Sequence, residues 1–254
     1  MAILGDFNVL FLLGLFLLRT PQEMLGFISR YLEDPNMDKT NQIFEQIDFS
    51  SQDLSNAIFS NCKFFRCSFK RTNLRDVQFV DCIFVEQGDL EGCDFSYADL
   101  RDASFKDCNV ALSQFKGANC FGIELRDCDL KGANFGQASF VNHVSHQMYF
   151  CSAYVTGCNL SYANFEKQLI EKCELFENRW IGANLRGASF KDSDLSRGVF
   201  SEDCWDQFRV QGCDLSHCEL YGLDPRRVDL SGVKICAWQQ EQLLEKLGLI
   251  VVPD

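Results

Sequence analysis

The chain has 254 residues and a formal net charge of −12 at pH 7, with 36 Asp and Glu against 24 Lys and Arg. This acidic balance excludes the usual kind of nucleic-acid-binding protein, which neutralises phosphates with Lys and Arg, so we expect no direct nucleic-acid binding. Fourteen cysteines suggest a disulfide framework or a metal protein until their positions in the sequence are considered.

Residues 1–36 form a predicted N-terminal extension outside the repeat that follows. Residues 9–18 are an apolar run of ten, too short for a transmembrane helix, which needs about 20 residues. The flanking residues lack the basic start and the small-residue cleavage site of a signal peptide. We expect a short amphipathic helix from residue 20 to about residue 32, and Met37 is an alternative start. A membrane anchor is the less favoured alternative.

The sequence from Phe44 to Ile235 repeats every five residues. A small, a polar and a large apolar residue are followed by two polar residues, as in Ala188-Ser189-Phe190-Lys191-Asp192. We call the large residue position i and the small one i−2. From Phe95 onward only Ser145 and Pro225 break the apolar rule at i. We therefore treat residues 37–236 as one repeat domain.

A period of five fits neither an α-helix nor a lone alternating strand. It fits a short extended segment followed by a corner, in which i−2 and i face inward together. Such coils stack as parallel strands around a column of Phe and Leu, with Ala and Cys between the large side chains. The repeat has room for about nine or ten coils, roughly 45 Å of solenoid. The period alone is compatible with three or with four sides per coil.

Ten of the fourteen cysteines occupy the i−2 position, where other repeats have alanine. Free Cys behaves as a small buried hydrophobe, so we interpret these ten as core residues. No C-x2-C pair indicates a zinc site, and His143 and His146 lack regular partner ligands, so no metal or cofactor is predicted. Unpaired thiols in this number favour a reducing, cytoplasmic location. The ten are Cys62, Cys67, Cys82, Cys93, Cys108, Cys128, Cys158, Cys173, Cys213 and Cys218.

The repeat is interrupted twice, and each interruption predicts a projecting loop. Phe84 and Phe95 are eleven residues apart, a slip of one residue from the period. The second interruption places Ser145 at an i position, and the register returns at Phe150. Binding residues concentrate on loops of rigid scaffolds, so both are candidate partner-binding loops, with tolerated insertions as the alternative. Loop 1 comprises Glu86, Gln87, Gly88, Asp89, Leu90, Glu91 and Gly92; loop 2 comprises Val141, Asn142, His143, Val144, Ser145, His146, Gln147, Met148 and Tyr149.

Carboxylates are abundant at outward-facing positions, but none forms the tuned pair that acid–base catalysis needs. The sequence contains no phosphate-binding loop and no hydrolase or kinase motif. We therefore predict that the chain is not an enzyme. Five outward carboxylates make up a predicted acidic face: Asp99, Asp102, Asp107, Asp127 and Asp129.

Residues 237–254 are predicted to form a C-terminal helix followed by a strand. Apolar residues have helical spacing from Trp238 to Leu247, and Gly248 stands where a C-cap is expected. Residues 249–252 then read as a strand that ends at Pro253. An apolar end of this kind either caps a solenoid or pairs with another chain. The predicted dimerisation residues are Trp238, Leu243, Leu244, Leu247 and Ile250.

Three strings stand out: Phe95-Ser96-Tyr97-Ala98-Asp99-Leu100, Met148-Tyr149-Phe150-Cys151-Ser152-Ala153-Tyr154 and Gly222-Leu223-Asp224-Pro225-Arg226-Arg227. The repeat resembles the pentapeptide-repeat family, and these strings resemble its Qnr-type quinolone-resistance proteins. The resemblance covers residues 37–254 and not residues 1–36. It implies an all-β fold, a right-handed quadrilateral β-helix with two projecting loops and a short C-terminal helix.

The same resemblance implies a partner and a function. Qnr-type proteins are cytoplasmic homodimers, joined through the C-terminal region, that bind DNA gyrase and topoisomerase IV and protect them from quinolones. Their two projecting loops, which protection requires, match loops 1 and 2. No cofactor and no membrane association are implied. Two alternatives stay open: a general DNA-mimic inhibitor of DNA-binding enzymes that acts through its acidic face, and a scaffold unrelated to topoisomerases.

Overall fold

The computed structural model describes residues 39–145 and 148–252. The predicted extension, residues 1–36, lies outside this part of the chain, as do His146 and Gln147 of loop 2 and Pro253. The described residues form an all-β solenoid that ends in a short helix. No helix in the described ranges has the length and apolar character needed to cross a membrane.

The strands are three or four residues long, because each occupies one side of a coil between two corners. A 3-10 helix, Ala237–Gln239, leads into the α-helix α1, Gln240–Lys246. The strands are β1 Ile43–Glu45, β2 Ile58–Ser60, β3 Lys63–Phe65, β4 Gln78–Val80, β5 Ser104–Lys106, β6 Ile123–Arg126, β7 Val141–His143, β8 Tyr149–Cys151 and β9 Ala153–Thr156.

Each coil has four sides, which we name A to D after the core residues of the first coil, Phe44, Phe49, Leu54 and Phe59. Side A contains the parallel pair β1–β3, and side D contains the parallel sheet β2-β4-β5-β6-β9. Isolated parallel bridges continue side A and form the ladders of sides B and C. Four ladders with partners 20 residues apart confirm the quadrilateral β-helix and decide between three and four sides.

The corners account for the polar residues that follow each large one. The residue two places after i adopts left-handed backbone, as at Asn56 with φ 60° and Asp107 with φ 55°. Asn, Asp and Gly tolerate this conformation best, which is why they recur there. Leu112 and Tyr162 adopt it as well, with φ 58° and 61°, although bulky residues rarely do. The stacking of neighbouring coils therefore overrides local preference at these corners.

Aromatic rings form stacked columns in the core on sides A, B and D; on side D, Phe59, Phe79 and Phe105 stack with centroid distances of 5.2 and 4.9 Å. On side A, Phe44, Phe64 and Phe84 stack with centroid distances of 4.9 and 5.0 Å. On side B, the column runs through six rings with adjacent centroids 4.6 to 5.0 Å apart. Its members are Phe49, Phe69, Phe95, Phe115, Phe135 and Phe165, each at most 1% exposed.

The cysteines fill the space between these rings. All fourteen are free, and twelve are buried; the two half-buried ones are Cys151 and Cys236. The ten at i−2 are all among the buried ones, so the prediction that they are core residues is confirmed.

Two local predictions were wrong. Phe150 does not return to the core: it lies in a hairpin and is 48% exposed. The next core residue on side D is Val155, 1% exposed, because the hairpin delays the coil by two repeats. Residues 249–252 form no strand within the described chain; the Leu249 N–H instead donates to the Leu244 carbonyl at 3.1 Å, at the end of the helix.

Candidate partner-binding loops

Loop 1 is an insertion of six residues into the third coil. Stacked partners in uninterrupted coils are 20 residues apart, whereas Cys82 and Cys108 on either side of the loop are 26 apart. The sequence shows this insertion only as a slip of one residue, because the other five residues have the length of one whole repeat. The backbone N–H of Cys93 donates to the Phe84 carbonyl at 3.1 Å and closes the base of the loop. The loop therefore projects from the corner between sides A and B.

Arg66 ties loop 1 to the solenoid. The loop begins with a turn in which the Asp89 N–H donates to the Glu86 carbonyl at 3.0 Å. One Arg66 nitrogen contacts Glu86 at 2.5 Å and Asp89 at 3.2 Å, and the other contacts Glu45 at 2.6 Å. Hydrogen bonds to the Glu86 and Glu45 carboxylates raise the pKa of Arg66. The sequence alone did not reveal Arg66, because its partners belong to the neighbouring coils.

Leu90 lies at the outer part of loop 1 and is 90% exposed. The chain then returns to the solenoid at Gly92, whose N–H donates to the Leu112 carbonyl at 3.1 Å. A Cβ on Gly92 would lie 2.4 Å from the Ala111 carbonyl oxygen, so only glycine allows this close return. Loop 1 is thus closed at both ends and presents one large apolar side chain to solvent.

Loop 2 is a β-hairpin inserted into the fifth coil. Strands β7 and β8 pair antiparallel, with Asn142 opposite Phe150. Partners on either side of the hairpin, Asp129 and Asn159, are 30 residues apart rather than 20, so the insertion has the length of two whole repeats. Val144 and Met148 near its tip are 62% and 61% exposed.

Two contacts fix the hairpin to the solenoid. The Tyr149 hydroxyl donates to Glu171 at 3.2 Å, and Ser189 donates to the other oxygen of the same carboxylate at 2.5 Å. The negative charge of Glu171 raises the pKa of Tyr149. Phe150 packs edge-on against Phe121 with centroids 5.3 Å apart. The residue that looked like a regained repeat is therefore an anchor of the projecting loop.

The two loops leave diagonally opposite corners. Loop 1 lies between sides A and B, after Phe84, and loop 2 lies between sides C and D, after Phe140. They are two coils apart along the solenoid, which is about 10 Å at the usual strand spacing. A flat partner surface therefore does not contact both loops of one chain in the same way.

The five residues of the predicted acidic face do not share a face. Asp99 pairs with Asn119 in the side C ladder, while Asp129 belongs to the side A ladder. Asp107 and Asp127 occupy successive coils at the corner between sides D and A, and Asp102 lies at the corner between C and D. The grouping was wrong because residues alike in the repeat are distributed over four sides.

A carboxylate row that the sequence analysis missed lies on side D. Glu124, Glu174, Asp194 and Asp214 occupy one ladder, with Tyr154 between the first two. Writing the sequence in lines of 20 residues, adjusted for the two insertions, would have aligned them. The row borders the hairpin of loop 2 and faces away from side B.

Side B carries charges of both signs, with Asp48 and Asp94 in its ladder beside a set of basic residues. Lys70, Lys116 and Arg186 occupy the same position in its repeats. A groove of about 460 Å³ lies there, with Lys116, Asn164 and Glu166 in its lining. Among the described residues no group of three or more His, Cys, Asp or Glu is placed to hold a metal ion.

The C-terminal segment closes the solenoid with amide side chains. Gln239 donates to the carbonyls of Leu215 and Cys218 at 2.8 and 2.7 Å, and Gln242 accepts from the Leu220 N–H at 2.8 Å. Gly248 has φ 80° and donates to Glu245 at 2.9 Å, which confirms the predicted C-cap.

The predicted dimerisation residues divide into two groups. Leu243 packs against the core of its own chain and Leu244 is half-buried, so these two serve the cap. Trp238 is 49%, Leu247 46% and Ile250 89% exposed. Exposed Leu249, Val251 and Val252 extend this set. An apolar surface thus stands at the end of the solenoid.

Comparison with known proteins points to one family. The family profile described as the pentapeptide repeat region matches residues 57–135. A pentapeptide repeat protein of Vibrio parahaemolyticus, VPA0095, is 61% identical over 214 residues, 84% of this chain and 99% of that protein. The pentapeptide repeat protein QnrB4 of Escherichia coli is 47% identical over 43% of this chain, an alignment that spans 51% of QnrB4.

A solved structure extends this likeness to the fold. Full-length QnrB1, described as a plasmid-mediated fluoroquinolone resistance protein, superposes with a TM-score of 0.78 at 42% identity. The match covers 83% of this chain and 99% of QnrB1.

Proposed function

This chain belongs to the Qnr-type group of the pentapeptide-repeat family, and from that premise we propose that it protects bacterial type II topoisomerases from quinolones. DNA gyrase and topoisomerase IV are the proposed partners. The chain acts by binding the enzyme, and the activity requires no cofactor. The proposal extends to a homodimer that works in the cytoplasm.

The observation that carries the proposal is the pair of anchored loops on a regular solenoid. A quadrilateral coil needs no insertion to fold, yet two insertions are each held by specific contacts, Arg66 with three carboxylates and Tyr149 with Glu171. Binding residues concentrate on loops that a rigid scaffold positions. Together with the likeness to fluoroquinolone-resistance proteins, this supports protection through direct contact.

The test is a gyrase supercoiling assay with a fluoroquinolone and increasing amounts of protein. Deletion of residues 86–91 removes six residues and restores the 20-residue spacing of the first loop's coil, and deletion of residues 142–151 does the same for the second. We expect each deletion to abolish protection while circular dichroism and the unfolding midpoint stay near those of the full chain. A variant with six Gly and Ser residues in place of 86–91 controls for loop length.

Full protection by both deletion variants would contradict the proposal. Loss of protection in the Gly and Ser variant as well shows that the side chains of the loop matter, and not only its length.

The side D carboxylate row favours a second candidate, inhibition of DNA-binding enzymes by mimicry of DNA charge. This candidate predicts inhibition of gyrase without drug, weakened by salt. Reversal of charge at Glu174 and Asp194 should relieve inhibition, whereas reversal at Asp48, on side B, should not. Equal behaviour of the two variants would argue against mimicry.

A further inference from the structure

We propose that Arg66 is a positioning residue that holds loop 1 so that Leu90 is presented as an apolar anchor. The matching partner surface is an apolar pocket bordered by basic side chains. This inference rests on the proposed function, because the pocket belongs to the protected enzyme.

Arg66 joins three successive coils through one guanidinium. Glu45 is in the first coil, Arg66 at a corner of the second, and Glu86 and Asp89 in the loop of the third. The planar fork of arginine donates in two directions at once, which the ammonium of lysine does not reproduce. The two loop carboxylates are fixed relative to each other by the same nitrogen, so the turn that they flank has one orientation.

The ion pairs contribute little to the stability of the fold. Arg66 and Glu45 are 37% and 58% exposed at their side chains, and exposed pairs are screened by water. The core beneath them consists of Phe64 and Phe84 and does not depend on Arg66. Removal of the guanidinium is therefore expected to free the loop without unfolding the solenoid, which makes the proposal testable.

Leu90 is the part of loop 1 that gains most from a partner. It is 90% exposed, and transfer of a leucine side chain from water into an apolar pocket is favourable. The closed base of the loop, with Cys93 hydrogen-bonded to Phe84, prevents the leucine from folding back by a large movement. Asp89 on one side of it is paired with Arg66, whereas Glu91 on the other side is exposed, so the complementary pocket has a positively charged border beside Glu91.

The position of the loop is measured by limited proteolysis with a glutamate-specific protease, which cleaves after Glu86 and Glu91. We expect Arg66→Ala to be cut in loop 1 about tenfold faster than the full chain. The matched control is Arg197→Ala: Arg197 also lies at a corner, with φ 58°, and pairs with one carboxylate, Glu177, at 2.8 Å. Cleavage of the control should equal that of the full chain.

The presentation of Leu90 is measured in the supercoiling assay with drug. We expect Arg66→Ala and Leu90→Ala each to raise the protein concentration for half protection about tenfold, and Arg66→Lys to have an intermediate effect. Because both residues act through one contact, the double variant should need about the same concentration for half protection as the more impaired of the two single variants. The circular dichroism and unfolding midpoints of all variants should match the full chain.

The inference would be overturned if Arg66→Ala were cleaved at the same rate as the full chain, or protected at the same protein concentration. Additive losses in the double variant would overturn it too, since they mean that Arg66 acts independently of Leu90. The proposed function is tested separately by the deletion of residues 86–91. If that deletion abolishes protection while Arg66→Ala protects normally, the function stands and the role of Arg66 does not. If the deletion of residues 86–91 and the deletion of residues 142–151 both protect fully, the function itself fails.

Discussion

Cys62, Cys82, Cys108, Cys128 and Cys158 lie above one another in successive coils, and none is more than 2% exposed. Each takes the i−2 position beside a side A core residue. Their thiols donate to backbone carbonyls of the coil before, as Cys213 does on side D to Phe190 at 2.9 Å. The cysteines thus serve as small core residues with a weak hydrogen bond, a role that alanine cannot copy fully.

Because Cys213 and Cys218 are buried, the free energy of unfolding depends on pH in the alkaline range. Burial raises the pKa of Cys213 and Cys218 to about 12, whereas an unfolded cysteine titrates near pH 8.5. The folded state therefore holds these protons more tightly, and the resulting stability is complete below about pH 8.5 and lost as the pH rises toward 12. We predict that the free energy of unfolding in urea falls between about pH 9 and pH 12.

The control for this prediction is Cys213→Ala with Cys218→Ala. Lys and Tyr titrate in the same range, but they are present in both proteins, so the double variant should show a smaller alkaline loss. An identical fall in the two proteins would show that these thiols do not cause it.

A single ring of the aromatic column can also be tested. Phe95 stacks between Phe69 at 4.8 Å and Phe115 at 5.0 Å. We predict that Phe95→Ala lowers the free energy of unfolding by about 3–5 kcal/mol, because the cavity cannot close between fixed coils. Ile58→Ala, at a side chain 53% exposed, should change it by about 0.5 kcal/mol or less. Equal effects in urea titrations would contradict a close-packed column.

At the scale of elements, the hairpin of loop 2 depends on one aromatic contact. Phe150→Ala removes the packing of its ring on Phe121, 5.3 Å away. We predict at least about tenfold faster amide hydrogen exchange in β7 and β8, with unchanged exchange in β4, β5 and β6. Val144→Ala, at the exposed tip, is the control and should leave exchange in the hairpin unchanged. Unaltered protection in Phe150→Ala would mean that Tyr149 and Glu171 suffice.

The repeat made much of this architecture predictable. A period of five identifies inward positions locally, so the core, the cysteines and the two interruptions followed from residue spacing alone. The placement of Asp99 and Asp129 did not, because it depends on which coil lies beside which. Phe150 was misassigned for a related reason: an aromatic residue in phase with the repeat looks the same whether it is in the core or in an inserted hairpin.

Arg66 shows the same limit at the site. Its sequence neighbours are ordinary repeat residues, and its three carboxylate partners come from the coils on either side. Only the stacking of coils, with six extra residues between them, brings Glu45 and Glu86 to one guanidinium. The sequence of a single repeat therefore does not predict the contacts between coils.

At the scale of the whole molecule, one row of carboxylates runs along side D of the solenoid. Side D carries Glu124, Glu174, Asp194 and Asp214 in one ladder, whereas side B, opposite, mixes Lys70, Lys116 and Arg186 with Asp48, Asp94 and Glu166. A basic partner surface is therefore drawn to side D, next to the hairpin, and long-range attraction orients the molecule before the loops make contact.

The C-terminal end is the proposed dimer interface. Ile250 is 89% and Val252 76% exposed, and the tail has no strand partner within the described chain. We predict that Ile250→Asp with Val252→Asp converts a dimer into a monomer, because charges are costly in an apolar interface. Light scattering after size-exclusion chromatography measures the mass. Leu90→Asp, at another exposed apolar side chain, should leave the dimer intact, and a dimeric tail variant would place the interface elsewhere.

The central claim is that the anchored loops protect a topoisomerase from quinolones. The most direct measurement is the minimum inhibitory concentration of a fluoroquinolone for a susceptible bacterium that expresses residues 37–254. We predict an increase of about fourfold or more with the full repeat domain and none with the variant that lacks residues 86–91 and 142–151, at equal protein levels. An unchanged inhibitory concentration with the full domain, or the same increase with both proteins, would contradict the account.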